Sequence, residues 1–126
     1  MIERLSIGIG CSSRAYSDDI IHLIQTSVDE IPAGSILATL DRRAAMGECV
    51  ASILGLRLVL FPVNILAKIA GTTSPSSLAL SATGTANVAE AAALASLGPS
   101  ARLLVAKTKG HFCTCAVAVS NTPERS

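Results

Sequence analysis

The chain has no tryptophan, one tyrosine and two phenylalanines among its 126 residues. So few aromatic rings leave no stacking platform of the kind that holds single-stranded nucleic acid. Charge is equally sparse. Ten lysines and arginines against nine aspartates and glutamates give a formal net charge of +1, too little for a broad phosphate-binding surface. No apolar run approaches a membrane span, and Pro62 interrupts the richest region. At the start, Glu3 and Arg4 precede a strand-like segment with no small-residue cleavage site, so no signal peptide is read there. Four cysteines without an export signal are read as free thiols rather than a disulfide framework. These absences predict a cytoplasmic protein, with neither nucleic acid nor membrane as a partner.

Small apolar side chains are abundant. The chain is 50% hydrophobic, and much of that is alanine, which suits helices lying close on a sheet. Its length predicts one domain over residues 1–126, with a frayed tail over about 120–126. The rest is organised around 84–94. There Asn87 is placed to cap a helix, Glu90 to reach back to it, and the following alanines to propagate it. Before it, Leu78 to Thr83 has the pattern of a short strand, and Gly84 frees the turn. A strand, a small-residue turn and a capped helix aim backbone N–H groups at a position that favours carboxylates or phosphates.

In chain order, Arg4 to Gly10 alternates Leu5, Ile7 and Ile9 with Ser6, Gly8 and Gly10. This is a strand whose second face receives something very close. A polar loop follows, from Cys11 to Tyr16, and Ser17 is the expected cap of a helix with Asp18 and Asp19 in its first turn. Ile20, Ile21, Ile24 and Val28 form its apolar stripe, and Pro32 to Gly34 its stop. A dinucleotide fingerprint is excluded, because its third glycine falls at Ser13. Ile36 to Leu40 reads as a second strand. Met46, Cys49, Val50, Ile53 and Leu54 then form a helical stripe ending at Gly55. Cys49 on that stripe is expected in the core. Asp41 is read as a helix cap or the partner of a nearby arginine, with ligand contact as the alternative. Leu58 to Phe61 is a third strand, followed by Pro62 at the head of a helix with Ile65, Leu66 and Ile69 and by a hydroxyl-rich loop at 72–77. After the stop at Gly98-Pro99, Leu103 to Ala106 reads as a buried strand, 107–111 as a turn, and Cys113 to Val119 as an alternating strand. The alternation predicts a three-layer α/β/α sandwich, its sheet mostly parallel with an antiparallel C-terminal hairpin.

His111, Cys113 and Cys115 share one face of a strand, as metal ligands would. Val117 and Val119 continue that face, which argues for core, and no C-x-x-C pair adds ligands. No metal and no cofactor are therefore expected. Nucleophilic hydrolysis has little support: the histidines are His22 and His111, G-x-S-x-G is absent, and Asp18 and Asp19 are adjacent rather than facing.

Five motifs occur in order: Gly8-Ile9-Gly10-Cys11 with its polar loop; Leu37-Ala38-Thr39-Leu40-Asp41; Ser74-Pro75-Ser76; Gly84 with Asn87 to Leu94; and Leu104 to Lys109. Together they resemble the cobalamin-biosynthesis family formed by free-standing CobE and the C-terminal domain of CbiG, from about Leu5 to Val119. CbiG carries further domains before this one and opens a ring-A lactone on a cobalt-precorrin. The present chain resembles its last domain, and so the free-standing form of the aerobic route. The resemblance implies a precorrin or hydrogenobyrinic-acid-type intermediate as ligand, with other pathway enzymes as partners. Such macrocycles carry many acetate and propionate arms, which call for carboxylate-binding groups. The expected rim comprises Cys11, Ser12, Ser13, Arg14, Asp41, Ser74, Ser76, Gly84, Asn87, Glu90, Lys107 and Lys109. Three roles remain open: corrinoid carrier, precorrin hydrolase or isomerase, and accessory subunit of another pathway enzyme.

Overall fold

The computed structural model describes residues 2–32, 34–66, 68, 88–98 and 100–122. The expected strand at 78–83, the loop at 72–77, the cap at Asn87, and Ile69 and Pro99 lie outside them. The described elements are β1 (Ile2–Cys11), α1 (Ser17–Ser27), β2 (Ile36–Leu40), a single 3-10 turn (Asp41–Arg43), α2 (Ala44–Leu54), β3 (Arg57–Phe61), α3 (Val63–Leu66), α4 (Val88–Leu97), β4 (Arg102–Lys109) and β5 (Cys113–Thr122). The sheet order is β3-β2-β1-β5-β4. β1, β2 and β3 pair in parallel, and β5 runs antiparallel to both β1 and β4. Four of the five strands therefore point the same way. β5 pairs as far as Thr122 with Ile2, three residues into the stretch expected to fray.

The alternation of β1 divides two cores. On one face Ile7, Ile9 and Cys11 pack with Ile20, Leu23 and Ile24 of α1, Val50 and Ala51 of α2, and Cys113, Cys115 and Val117 of β5. On the other face Ala38, Leu40 and Ala118 meet Leu66 of α3 and the alanine-rich side of α4. This is the expected three-layer arrangement. What lies so close to the glycine face of β1 is α4: a Cβ on Gly8 would sit 1.9 Å from the Ala89 carbonyl oxygen and 2.8 Å from the Ala93 nitrogen. About two turns beyond Ala89, the Ser96 hydroxyl donates to Ser6 Oγ at 2.6 Å. α4 thus runs against β1, and its first turn lies toward the carboxyl end of the strand.

Several local expectations are corrected. α1 begins at Ser17, with Tyr16 in the cap position; the Asp19 carboxylate accepts the Tyr16 N–H at 3.0 Å, so the third helical residue does the capping rather than Ser17. The helix ends at Ser27, with the Val28 N–H closing on the Ile24 carbonyl, before the Pro32–Gly34 stretch. In α2 the buried residues are Gly47, Val50 and Ala51, while Cys49 is exposed and Ile53 is 59% exposed. Gly47 turns the helix: a Cβ there would lie 2.9 Å from a Leu58 methyl, so the smallest residue faces the sheet. Gly55, at φ 70°, ends the helix in the left-handed region as expected. β4 is an edge strand with alternating exposure rather than a buried one. It runs through Lys109, so the turn shrinks to 110–112, closed by the Gly110 N–H on the Cys113 carbonyl at 2.8 Å.

Candidate binding site

Parallel strands deliver their carboxyl ends to one edge, where α/β sheets bind ligands. Here that edge gathers the loop after β1, the 3-10 turn after β2 and the β4–β5 turn. The loops are stitched together by backbone bonds. The Ser12 N–H donates to the Phe112 carbonyl at 3.0 Å, and the Ala15 N–H to the Ser12 carbonyl at 3.2 Å. Ser12 Oγ accepts the Arg14 N–H at 3.1 Å. Phe112 holds φ 62°, in the left-handed region that a bulky side chain enters only when its surroundings compel it. Its ring lies 4.9 Å below the Arg14 guanidinium carbon and 4.4 Å, edge-on, from the His111 ring. Arg14 is thereby oriented over an aromatic face while the residue itself stays exposed.

Two recesses open on either side of Cys11 and Ser12. One, of about 210 Å³, lies between β1 and the hairpin and includes Lys109, Phe112, Cys113 and Thr114 in its wall. The other, of about 230 Å³, lies toward α2 and includes Ser13, Arg42, Arg43 and Met46. Each is smaller than the pockets that enclose drug-sized ligands. A macrocycle at this edge would lie across the rim and send its arms into the recesses.

The thiols beneath the rim are poor nucleophiles. Cys11 and Cys113 are register partners on β1 and β5, and all three edge thiols are buried. Burial pushes Cys11 above its ordinary value, against a partial pull from Arg43. Burial, then Asp19, then Cys11, push Cys113 to about 11. Burial takes Cys115 to about 12 despite a hydrogen bond from Ser27, and Cys113 adds to the rise. Of these, the Cys11 and Cys113 thiols line the recesses and are neutral at physiological pH. No group of three or more His, Cys, Asp or Glu among the described residues is arranged to hold a metal ion.

The structure brings together Cys11, Ser12, Ser13, Arg14 and Lys109 at this edge, with Asp41 at the exposed head of the 3-10 turn. Ser74, Ser76, Gly84 and Asn87 lie outside the described residues. Glu90 and Lys107 are joined in another way. Glu90 is fully buried, and its carboxylate accepts the Lys107 backbone N–H at 2.7 Å, fastening α4 to β4. Three contributors were missed in the sequence: Arg42 and Arg43, and Phe112. The arginine pair follows a strand end after a single residue, Asp41, which is the signal that could have found them. Phe112 carries none, since its place depends on the hairpin turn.

The fold is that of a mixed α/β protein with a five-stranded sheet. Residues 5–118 match the family described as cobalamin synthesis G C-terminus, and the chain belongs to that family. Within it, the protein is of the CobE and CbiG C-terminal type. It is similar to the crystal structure of CobE, a protein of the cobalamin (vitamin B12) biosynthetic pathway, at 26% identity and TM-score 0.74, over 98% of this chain and 94% of that one. It is also similar to cobalamin biosynthesis protein chiG from Agrobacterium tumefaciens, at 29% identity and TM-score 0.67, over 94% of this chain and 99% of that one. A longer cobalamin biosynthesis protein G homolog from Sulfolobus solfataricus shares the fold at 20% identity and TM-score 0.70, over 96% of this chain and 38% of that one. No curated protein sequence matches this chain significantly.

Proposed function

We propose that the protein binds an acidic corrinoid intermediate, of precorrin or hydrogenobyrinic-acid type, at the carboxyl edge of its sheet, as a carrier or accessory protein of the aerobic route. The observation that carries this reading is the convergence of Arg14, Lys109 and the arginine pair 42–43 with the hydroxyls of Ser12 and Ser13 around an apolar, thiol-lined floor. Cations and hydroxyls suit carboxylate arms, and the floor suits a macrocycle edge. The protonated state of Cys11, Cys113 and Cys115 favours binding over covalent catalysis, because the thiolate is the nucleophile. The test is a titration of the purified protein with hydrogenobyrinic acid, followed by absorbance and by mass analysis of the ligand. A saturable spectral shift with the ligand recovered unchanged supports the carrier reading. A new product supports an enzyme, and a response only in the presence of another pathway enzyme supports an accessory subunit.

A further inference from the structure

We propose that the recess toward α2 is the seat of one ligand carboxylate, with the Arg43 guanidinium as its binding group. The proposal rests on the functional reading above for the identity of the whole ligand, but not for the anion.

Arg43 ends the 3-10 turn after β2 and contributes to the wall of the recess. Its residue is half-buried, yet its Nε is out of solvent and has no hydrogen-bond partner among the described residues. A donor on a charged group, removed from water and left without an acceptor, carries an unrecovered desolvation cost. An acceptor entering the recess recovers it once the half-buried side chain turns Nε toward that space. Nε and a terminal nitrogen of a guanidinium form the fork that matches the two oxygens of a carboxylate. The rest of the wall agrees with such a guest. Ser12 and Ser13 bring hydroxyls, Met46 and Ala45 offer apolar contact for the methylenes of an acetate or propionate arm, and Cys11 brings an uncharged thiol. Burial keeps that thiol protonated even beside Arg43, so it does not occupy the guanidinium as an ion pair. A space of about 230 Å³ admits an arm and its carboxylate but not a macrocycle. The seat also lies on the opposite side of Cys11 and Ser12 from the Lys109 recess, so two arms of one ligand would be held apart across the rim.

The experiment follows the arginine Nε–H signals of the full chain by proton–nitrogen correlation spectroscopy during titration with sodium acetate, and separately with inorganic phosphate, at constant ionic strength. The Arg43 signal is identified by its loss in Arg43→Lys. A saturable shift of Arg43 under acetate, larger than those of Arg4, Arg57 and Arg102, is expected. No shift beyond those controls, or a shift under phosphate alone, overturns the carboxylate seat. In parallel, Arg43→Gln and Arg43→Lys are titrated with hydrogenobyrinic acid, with thermal melts to confirm folding. The loss of one charge-assisted contact predicts roughly tenfold weaker binding for Arg43→Gln and partial recovery in Arg43→Lys. Wild-type affinity in a folded Arg43→Gln overturns the seat and leaves the functional reading standing. An acetate response at Arg43 in a wild-type protein that binds no corrinoid supports the seat and overturns the functional reading instead. If Arg43→Gln does not fold, the acetate titration and Arg43→Lys decide.

Discussion

At the scale of single residues, the four cysteines separate sharply by environment. Cys49 is exposed, whereas Cys11, Cys113 and Cys115 are buried. Alkylation of the native protein at pH 8 is expected to add one group, at Cys49, with three more only after denaturation; peptide mass spectrometry reads this directly. The buried thiols also give stability a pH dependence. The unfolded thiols ionise near 9.0, whereas Cys113 and Cys115 hold their protons to about 11 and about 12. The unfolded chain therefore loses these protons first. Their contribution is complete below pH 9 and falls as pH rises above it. Urea unfolding between pH 8 and 10.5 should show this decline, and Cys115→Val should flatten it. Arg14 is the residue on which affinity at the rim should depend most openly, because stacking on Phe112 orients its fork. Arg14→Ala is expected to weaken hydrogenobyrinic acid binding by roughly ten- to a hundredfold, as the loss of a charged hydrogen bond would. Arg14→Lys should recover only part, since the planar fork is gone. Equilibrium titration of the three proteins checks both.

At the scale of elements, the fit of α4 on β1 depends on side chains that are missing. Gly8→Ala places a methyl group far inside van der Waals contact with the Ala89 carbonyl oxygen, and the obstacle is backbone rather than a flexible side chain. The expected cost is about 3 kcal/mol, the upper end for overpacking, read as a lower urea midpoint. Gly55→Ala is the useful contrast. Among the described residues nothing lies within 4 Å of its added Cβ, and only the left-handed backbone at φ 70° objects, so about 1–2 kcal/mol is expected. The glycine alternation of β1 announced a close neighbour in the sequence, and the structure supplies it. The α2 stripe was harder to read. Cys49 and Ile53 fit a helical period as well as Gly47 and Ala51 do, and hydropathy favours the larger residues. Close approach to Leu58 and Thr39 favours the smaller ones, and it decided the face.

At the scale of the whole molecule, the rim should discriminate ligands by charge. If carboxylate arms are what the edge recognises, an amidated corrinoid should bind less tightly than the free acid. The affinity for the acid should also fall with added salt, modestly for the recessed Arg43 and more steeply for the exposed Arg14 and Lys109. Parallel titrations of hydrogenobyrinic acid and its fully amidated form at two salt concentrations test this. Equal affinities would place recognition in the macrocycle rather than in its arms.

The sequence by itself determined the order of the described strands and helices, the antiparallel hairpin at the end, and the inward face of Cys113, Cys115 and Val117. Each of these follows from a local period of two or near four, written in neighbouring residues. It also determined that Cys11 to Arg14 and Lys109 belong to the carboxyl edge, because strand direction fixes where such loops emerge. Only the tertiary structure decided which groups meet there. Phe112 comes beneath Arg14, and Arg43 beside Cys11, through strand order β3-β2-β1-β5-β4, which brings together segments about 30 and 100 residues apart along the chain. Glu90, on the helix, also fastens an edge strand by the same means. Its Lys107 partner lies on β4, across a helix–strand contact that no local period encodes.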